Sequence, residues 1–171
     1  CVLIRPKPGE GGGDIDQLKR RAFVTIQEYL NKFSPDVVLV QEIKTQDETY
    51  PYDDVKKIKY ESYVFGQKSY NGVAILSKKK LNNIQKDIFK DKNKQSRIIT
   101  ADIKYKSKVI KLINIYTPNG NPVDTEKYDY KLYWLDSLIK KLKSLLKKNE
   151  NIIIAGDFNI IPSAEDVHDP K

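Results

Sequence analysis

Ser34-Pro35-Asp36-Val37-Val38-Leu39-Val40-Gln41-Glu42-Ile43-Lys44 holds a helix stop, a strand and a polar strand end in one short segment. Pro35 has no amide hydrogen and disfavours helical backbone at the residue before it, so a preceding helix must finish here. Val37 to Val40 is an unbroken apolar, mostly β-branched run, the pattern of a strand buried on both faces. Gln41 and Glu42 follow at once, which puts an amide and a carboxylate at the end of a buried strand. That combination favours a sheet covered by helices, with polar chemistry on its rim.

Upstream, Asp14 with Gln17 resembles a capping box, and Ile15, Leu18, Ala22, Ile26 and Leu30 recur at three- and four-residue spacing. A helix with one apolar face is predicted from there to about Phe33. Downstream, residues 45–58 are polar and contain Pro51 and Asp53-Asp54, which suits a loop and a short helix. Tyr60 to Phe65 and Val73 to Leu76 fit two strands joined by a polar turn at Gln67–Asn71. Lys78–Lys94 is charged and weakly patterned, and no strand is predicted in it. Ile98 to Ile103 and Val109 to Ile115 fit a strand pair separated by Tyr105–Lys108. A loop with Pro118, Asn119, Gly120 and Pro122 precedes a long helix from about Thr125 to Lys148. Leu132, Leu135, Leu138, Ile139, Leu142, Leu145 and Leu146 are expected on its apolar face, and Trp134 in the core or at its edge. The lysines Lys140, Lys141, Lys143, Lys147 and Lys148 are expected on a solvated helix face rather than in a nucleic-acid groove. Ile152 to Ala155 is predicted as another buried strand, ending at Gly156-Asp157. Pattern alone therefore predicts an α/β or α+β layered domain.

Composition narrows the function classes. The 171 residues are 39% apolar and 32% charged, which suits one soluble globular domain rather than a disordered chain. No apolar run approaches the length of a membrane-spanning helix. One cysteine, Cys1, and one histidine, His168, exclude an internal disulfide and any metal site built from several such residues in this chain. The formal charge of +8 suits a polyanionic partner and also simple solubility. Gly9 and Gly11–Gly13 are not followed by Lys-Ser/Thr at P-loop spacing, so they fit a flexible linker.

Three polar groups stand at the ends of separate buried strands: Gln41-Glu42, Asn114 to Tyr116, and Gly156 to Asn159. Two carboxylates and a carboxamide from such positions suit a hard divalent cation, which takes oxygen ligands and keeps water and phosphate in its shell. Singly, each residue fits strand capping or turn anchoring just as well.

Four motifs in order lead further. The segment Ser34 to Lys44 resembles the first signature of exonuclease III-type abasic-site endonucleases. Tyr70-Asn71-Gly72-Val73-Ala74-Ile75-Leu76 resembles the second, and Asn114-Ile115-Tyr116-Thr117-Pro118-Asn119-Gly120 the third. Gly156-Asp157-Phe158-Asn159-Ile160 with Pro162 resembles the fourth. The last motif alone is shared with the wider endonuclease/exonuclease/phosphatase superfamily. The resemblance implies a four-layered α/β sandwich, two packed mixed sheets flanked by helices, and magnesium-dependent hydrolysis of DNA phosphodiesters in base excision repair, with manganese as a substitute ion. It implies that Glu42 binds metal together with Asp157 and Asn159. Tyr116 is implied beside the scissile phosphate, Asp157 as the group that takes the proton of the attacking water, and Asn159 as its orienting carboxamide. Asn71, Gly72, Arg97 and Asn119 fall where the family contacts the DNA backbone. The implied partner is double-stranded DNA with abasic sites or 3′ ends, acted on by a monomer in the bacterial-type cytoplasm, with no membrane.

The resemblance covers residues 15–171, so 1–14 are expected as a non-matching flexible segment. The family's first strand, with its asparagine, and its C-terminal third, with an aspartate–histidine pair, have no counterpart. His168-Asp169 lies too close to Asn159 to be that pair. A catalytically inactive DNA-binding fragment, or another phosphodiesterase of the superfamily, therefore stands as an alternative.

Overall fold

A computed structural model of the chain describes residues 26–148 and 151–160. The expectations for Asp14 to Thr25, the glycine-rich segment and His168 lie outside the described residues. Within them the helix that Pro35 stops runs over 26–33. Seven strands follow: β1 Val37–Gln41, β2 Glu61–Phe65, β3 Val73–Ser77, β4 Asn82–Lys86, β5 Ile98–Tyr105, β6 Lys108–Tyr116 and β7 Asn151–Asp157. Helix α1 is Tyr52–Lys57 and α2 is Glu126–Leu146.

The strands form two sheets. One is antiparallel in the order β1-β3-β2, with Gln41 opposite Val73. The other has the order β4-β5-β6-β7, antiparallel except for a parallel β6–β7 pair that sets Tyr116 opposite Asp157. Because strand side chains alternate faces, each sheet sends one set of residues to its partner sheet and the other to a helix. Leu39, Val73 and Ile75 meet Ile99, Ala101 and Leu112 between the sheets. Val38 and Leu76 pack outward under Leu30, Val55 and Tyr60. Ile98, Ile113 and Ile115 pack outward under Tyr130, Trp134, Leu138 and Leu145 of α2. The layers run helix, sheet, sheet, helix, the four-layered α/β sandwich the motifs imply.

Three details depart from the sequence pattern. The charged stretch 78–94 contains β4, whose five residues are all exposed. An edge strand with no buried face carries no apolar alternation to read. On α2, Leu132, Ile139 and Leu146 are exposed instead of buried, because they lie about 80–120° around the helix from Leu138. Trp134 and Tyr130 occupy the buried stripe in their place. Finally β7 is only partly buried: among the described residues it bonds to β6 alone, and Ile153 is 48% exposed.

Gly156 makes the β6–β7 junction possible. Its φ of 145° lies outside ordinary L-residue space, and a Cβ there would sit 2.0 Å from the Ile115 carbonyl oxygen. Gly156→Ala is expected to lose about 3 kcal/mol of stability, since neither strand backbone can retreat. Urea titration measures this; a loss below about 1 kcal/mol would show that the ladder yields.

Candidate active site

The two sheets end together at one rim, and the residues there follow from strand parity. Leu39 and Gln41 share the inward face of β1. Leu112, Asn114 and Tyr116 share that of β6, and Ala155 and Asp157 that of β7. Every second residue points into the gap between the sheets, so the last inward residue of each strand lines its mouth.

Asn114 forms the floor. It is 0% exposed, and its Nδ2 donates to the carbonyls of Val40 and Ala74 in the opposite sheet, each at 2.9 Å. Its Oδ1 accepts from Gln41 Nε2 at 2.6 Å. The Asn114 carboxamide is therefore committed to joining the sheets. A polar residue in the middle of Val109 to Tyr116 was the available signal: buried amides need partners on every side.

Glu42 leaves β1 through a left-handed backbone, φ 56°. The following chain is pinned by Ile43 and Lys44 N–H groups that donate to Gly72 and Asn71 carbonyls at 3.3 and 3.0 Å. Gly72, at φ 83°, would put a Cβ 2.6 Å from Ile43 Cγ1. The close approach that this glycine permits is thus to the chain's own Ile43. Asn71 is buried and donates to Gln67 Oε1 at 3.0 Å. Lys44 Nζ lies 3.0 Å from Glu42 Oε2, a pair the motifs did not single out.

Tyr116 sits between acid and base. Burial raises its phenol above the usual range, and Glu42 adds to this while Arg97 opposes it, so the hydroxyl remains a donor at neutral pH. Arg97 is only 8% exposed. Its guanidinium lies 4.7 Å from the Tyr116 ring centre, Nη1 donates to Tyr116 O at 3.0 Å, and Nε donates to Gln95 Oε1 at 2.5 Å. It holds the tyrosine from behind.

Asp157 is 7% exposed, and its Oδ1 accepts the Asn159 N–H at 2.8 Å. Asn159, in a left-handed turn at φ 47°, donates through Nδ2 to Thr117 O at 2.6 Å. Thr117 N donates to Asp157 O at 2.8 Å, continuing the β6–β7 ladder by one bond. Glu42, Tyr116, Asp157 and Asn159 are thereby brought to one rim, with Asn71, Gly72 and Arg97 beside them. Asn119 is exposed on the adjoining loop.

The donors suit a hard cation. Among the described residues no three of His, Cys, Asp and Glu gather into a ligand cluster, so a zinc-type cage does not fit. An ion bound by one or two carboxylates plus water and phosphate does fit Glu42 and Asp157. Gln41, next in the chain to Glu42, has a buried Oε1 that accepts no hydrogen bond among the described residues, an oxygen not committed elsewhere. Lys44 on Glu42 is a half-exposed pair of the kind worth about 0–1 kcal/mol, so it would yield to a cation at little cost.

A model of the Endonuclease/Exonuclease/phosphatase family matches residues 12–171. Exodeoxyribonuclease III of Haemophilus influenzae is 34% identical over 144 residues, which are 83% of this chain and 54% of that protein. An AP endonuclease structure from Archaeoglobus fulgidus superposes with a TM-score of 0.79 at 32% identity, covering 88% of this chain and 57% of that one. The 3′ phosphatase NExo from Neisseria, solved with a product DNA hairpin, gives a TM-score of 0.75 at 28% identity over 86% of this chain and 56% of that one. The chain spans about half the length of the relatives it matches.

Proposed function

Since the chain belongs to the endonuclease/exonuclease/phosphatase family, a family of enzymes, we propose that the protein hydrolyses DNA phosphodiesters as an exonuclease III-type abasic-site endonuclease. The observation that carries this reading is the meeting of Glu42, Tyr116, Asp157 and Asn159 at one rim of the sandwich. The proposed substrate is duplex DNA with abasic sites or free 3′ ends. Magnesium is the proposed ion, with manganese as its substitute. Action as a monomer in the cytoplasm belongs to the same proposal.

Glu42, with Asp157 and Asn159, would hold the cation. When bound, such an ion neutralises phosphate charge and stabilises the departing oxygen. Asp157 takes the proton of the attacking water, its carboxylate oriented by the Asn159 N–H. The water oxygen bonds to phosphorus, the phosphorus–oxygen bond to the departing sugar breaks, and that sugar oxygen takes a proton from solvent. Tyr116 donates its phenolic hydrogen to a phosphate oxygen without adding negative charge. Arg97 keeps the ring in place, and Asn119 on the exposed loop meets the DNA backbone.

The test is nicking of a duplex bearing one abasic site by the full-length protein. Cleavage is expected with magnesium, is lost with EDTA, and falls steeply as salt rises, because lysine–phosphate contacts release counterions. Hydrolysis of inositol or lipid phosphates with no DNA cleavage would replace this reading with another activity of the superfamily.

A further inference from the structure

We propose that Lys131, on the first turns of α2, is a positioning residue that locks the two catalytic loops together; the inference rests on the hydrolytic reading above. Beyond Thr117 the β6–β7 ladder stops, and the loops that carry Asn119 and Asn159 part company. Lys131 bridges them. Its Nζ donates to Asn159 O at 2.6 Å and to Asn119 O at 3.0 Å. Asn159 is the residue whose N–H holds Asp157 and whose side chain reaches Thr117, so this carbonyl fixes the turn that orients the proposed base.

The lysine is itself well held. Its stem packs on Gly120, where φ is 79° and a Cβ would lie 2.6 Å from Lys131 Cδ and 3.1 Å from Lys131 Cβ. On the same helix, Tyr130 donates to Asp91 Oδ2 at 2.9 Å, and Trp134 is fully buried. A fixed helix thus presents an ammonium group to two loop carbonyls, and charge-assisted bonds of this kind are roughly twice as strong as neutral ones. The bond to Asn119 is exposed and the bond to Asn159 only part-buried, so water can replace the ammonium without unfolding the protein. What is lost is registration of Asn159 against Asp157, and a misplacement of about 1 Å near a reacting centre lowers rates about 100-fold. The helical charge pattern gave no sign of this role, because Lys131 is one of many lysines on α2.

Lys131→Met keeps the stem and removes the ammonium. In the full-length protein it is expected to lower kcat on abasic duplex by about 10–100-fold, with KM and salt dependence changed less than about threefold. Hydrogen exchange is expected to accelerate at the amides of residues 117, 119–121 and 158–160 and to stay unchanged in β5 and β6. Lys131→Gln, which keeps an uncharged NH2 donor group, is expected to fall between and serves if the methionine variant does not fold. Lys140→Met, which breaks an exposed pair with Asp136, is the control and keeps wild-type rates. Unchanged kcat and unchanged loop exchange overturn the proposal. So does a rise in KM with a flatter salt dependence and unaltered kcat, which marks a phosphate contact instead. If the wild-type protein cleaves no abasic duplex, the hydrolytic reading fails, and the exchange measurement alone decides whether Lys131 ties the loops.

Discussion

Asp157→Asn is expected to lower the rate of abasic-site cleavage by about 10²–10⁴-fold, the range that a positioned general base contributes. The change keeps the side chain's size and lets Oδ1 go on accepting the Asn159 N–H, which lies at 2.8 Å. It removes the negative charge and the ability to take a proton. Fold and duplex affinity are therefore expected to survive while kcat falls. Gel-based single-turnover cleavage, together with equilibrium binding to an uncleavable abasic duplex, separates the two. A variant that cleaves within about tenfold of wild type would assign the proton to another group. Loss of binding with intact kcat would make Asp157 a ligand-holding residue only.

The second large effect is on stability. Asn114→Leu is expected to cost about 3–5 kcal/mol, with the midpoint of urea unfolding shifted accordingly. Leucine keeps asparagine's branching and number of heavy atoms but is bulkier, so some overpacking at this fully buried site adds to the lost hydrogen bonds. It strips donors from the carbonyls of Val40 and Ala74 and an acceptor from Gln41 Nε2, all between the sheets. Each buried group left unpaired costs about 1–3 kcal/mol, against a total of about 5–15 kcal/mol for a typical domain. A loss below about 1 kcal/mol would show that the sheets stay in register through apolar packing alone. Because Gln41 adjoins Glu42, cleavage is expected to weaken along with stability.

Much of the sandwich was legible because its strands are strongly patterned. Val37–Gln41 and Val73–Ser77 are apolar runs bounded by turn residues, and both form strands near the predicted ends. The alternation between Leu112, Asn114 and Tyr116 on one face and Ile113 and Ile115 on the other assigns each residue to a layer once the pairing is known. By contrast, β4 was invisible: a strand exposed along its whole length is held by backbone bonds to β5, which no side-chain pattern records. Leu132, Ile139 and Leu146 were misplaced because leucine and isoleucine suit a helix flank as well as its buried stripe. The site residues were named from four motifs that resemble one family. Their chemistry was readable, but the partners that hold them were not. The packing of buried Arg97 against Tyr116 is one such partner. The close fit of Gly72 against Ile43 is another.

Apart from β4, local pattern determined the elements described, the stops between them and the oxygen-rich character of the strand ends, since those depend on neighbours within a few residues. Only the tertiary structure decided that Asn114 joins two sheets, that Tyr116 stands opposite Asp157, and that Lys131 reaches both Asn119 and Asn159. The separation in chain position explains the division. A hydrogen bond between Asn114 and Val40 links residues 74 apart, and its free energy exists only once both sheets are in place. No window of sequence contains both partners, so the pairing is a property of the folded chain.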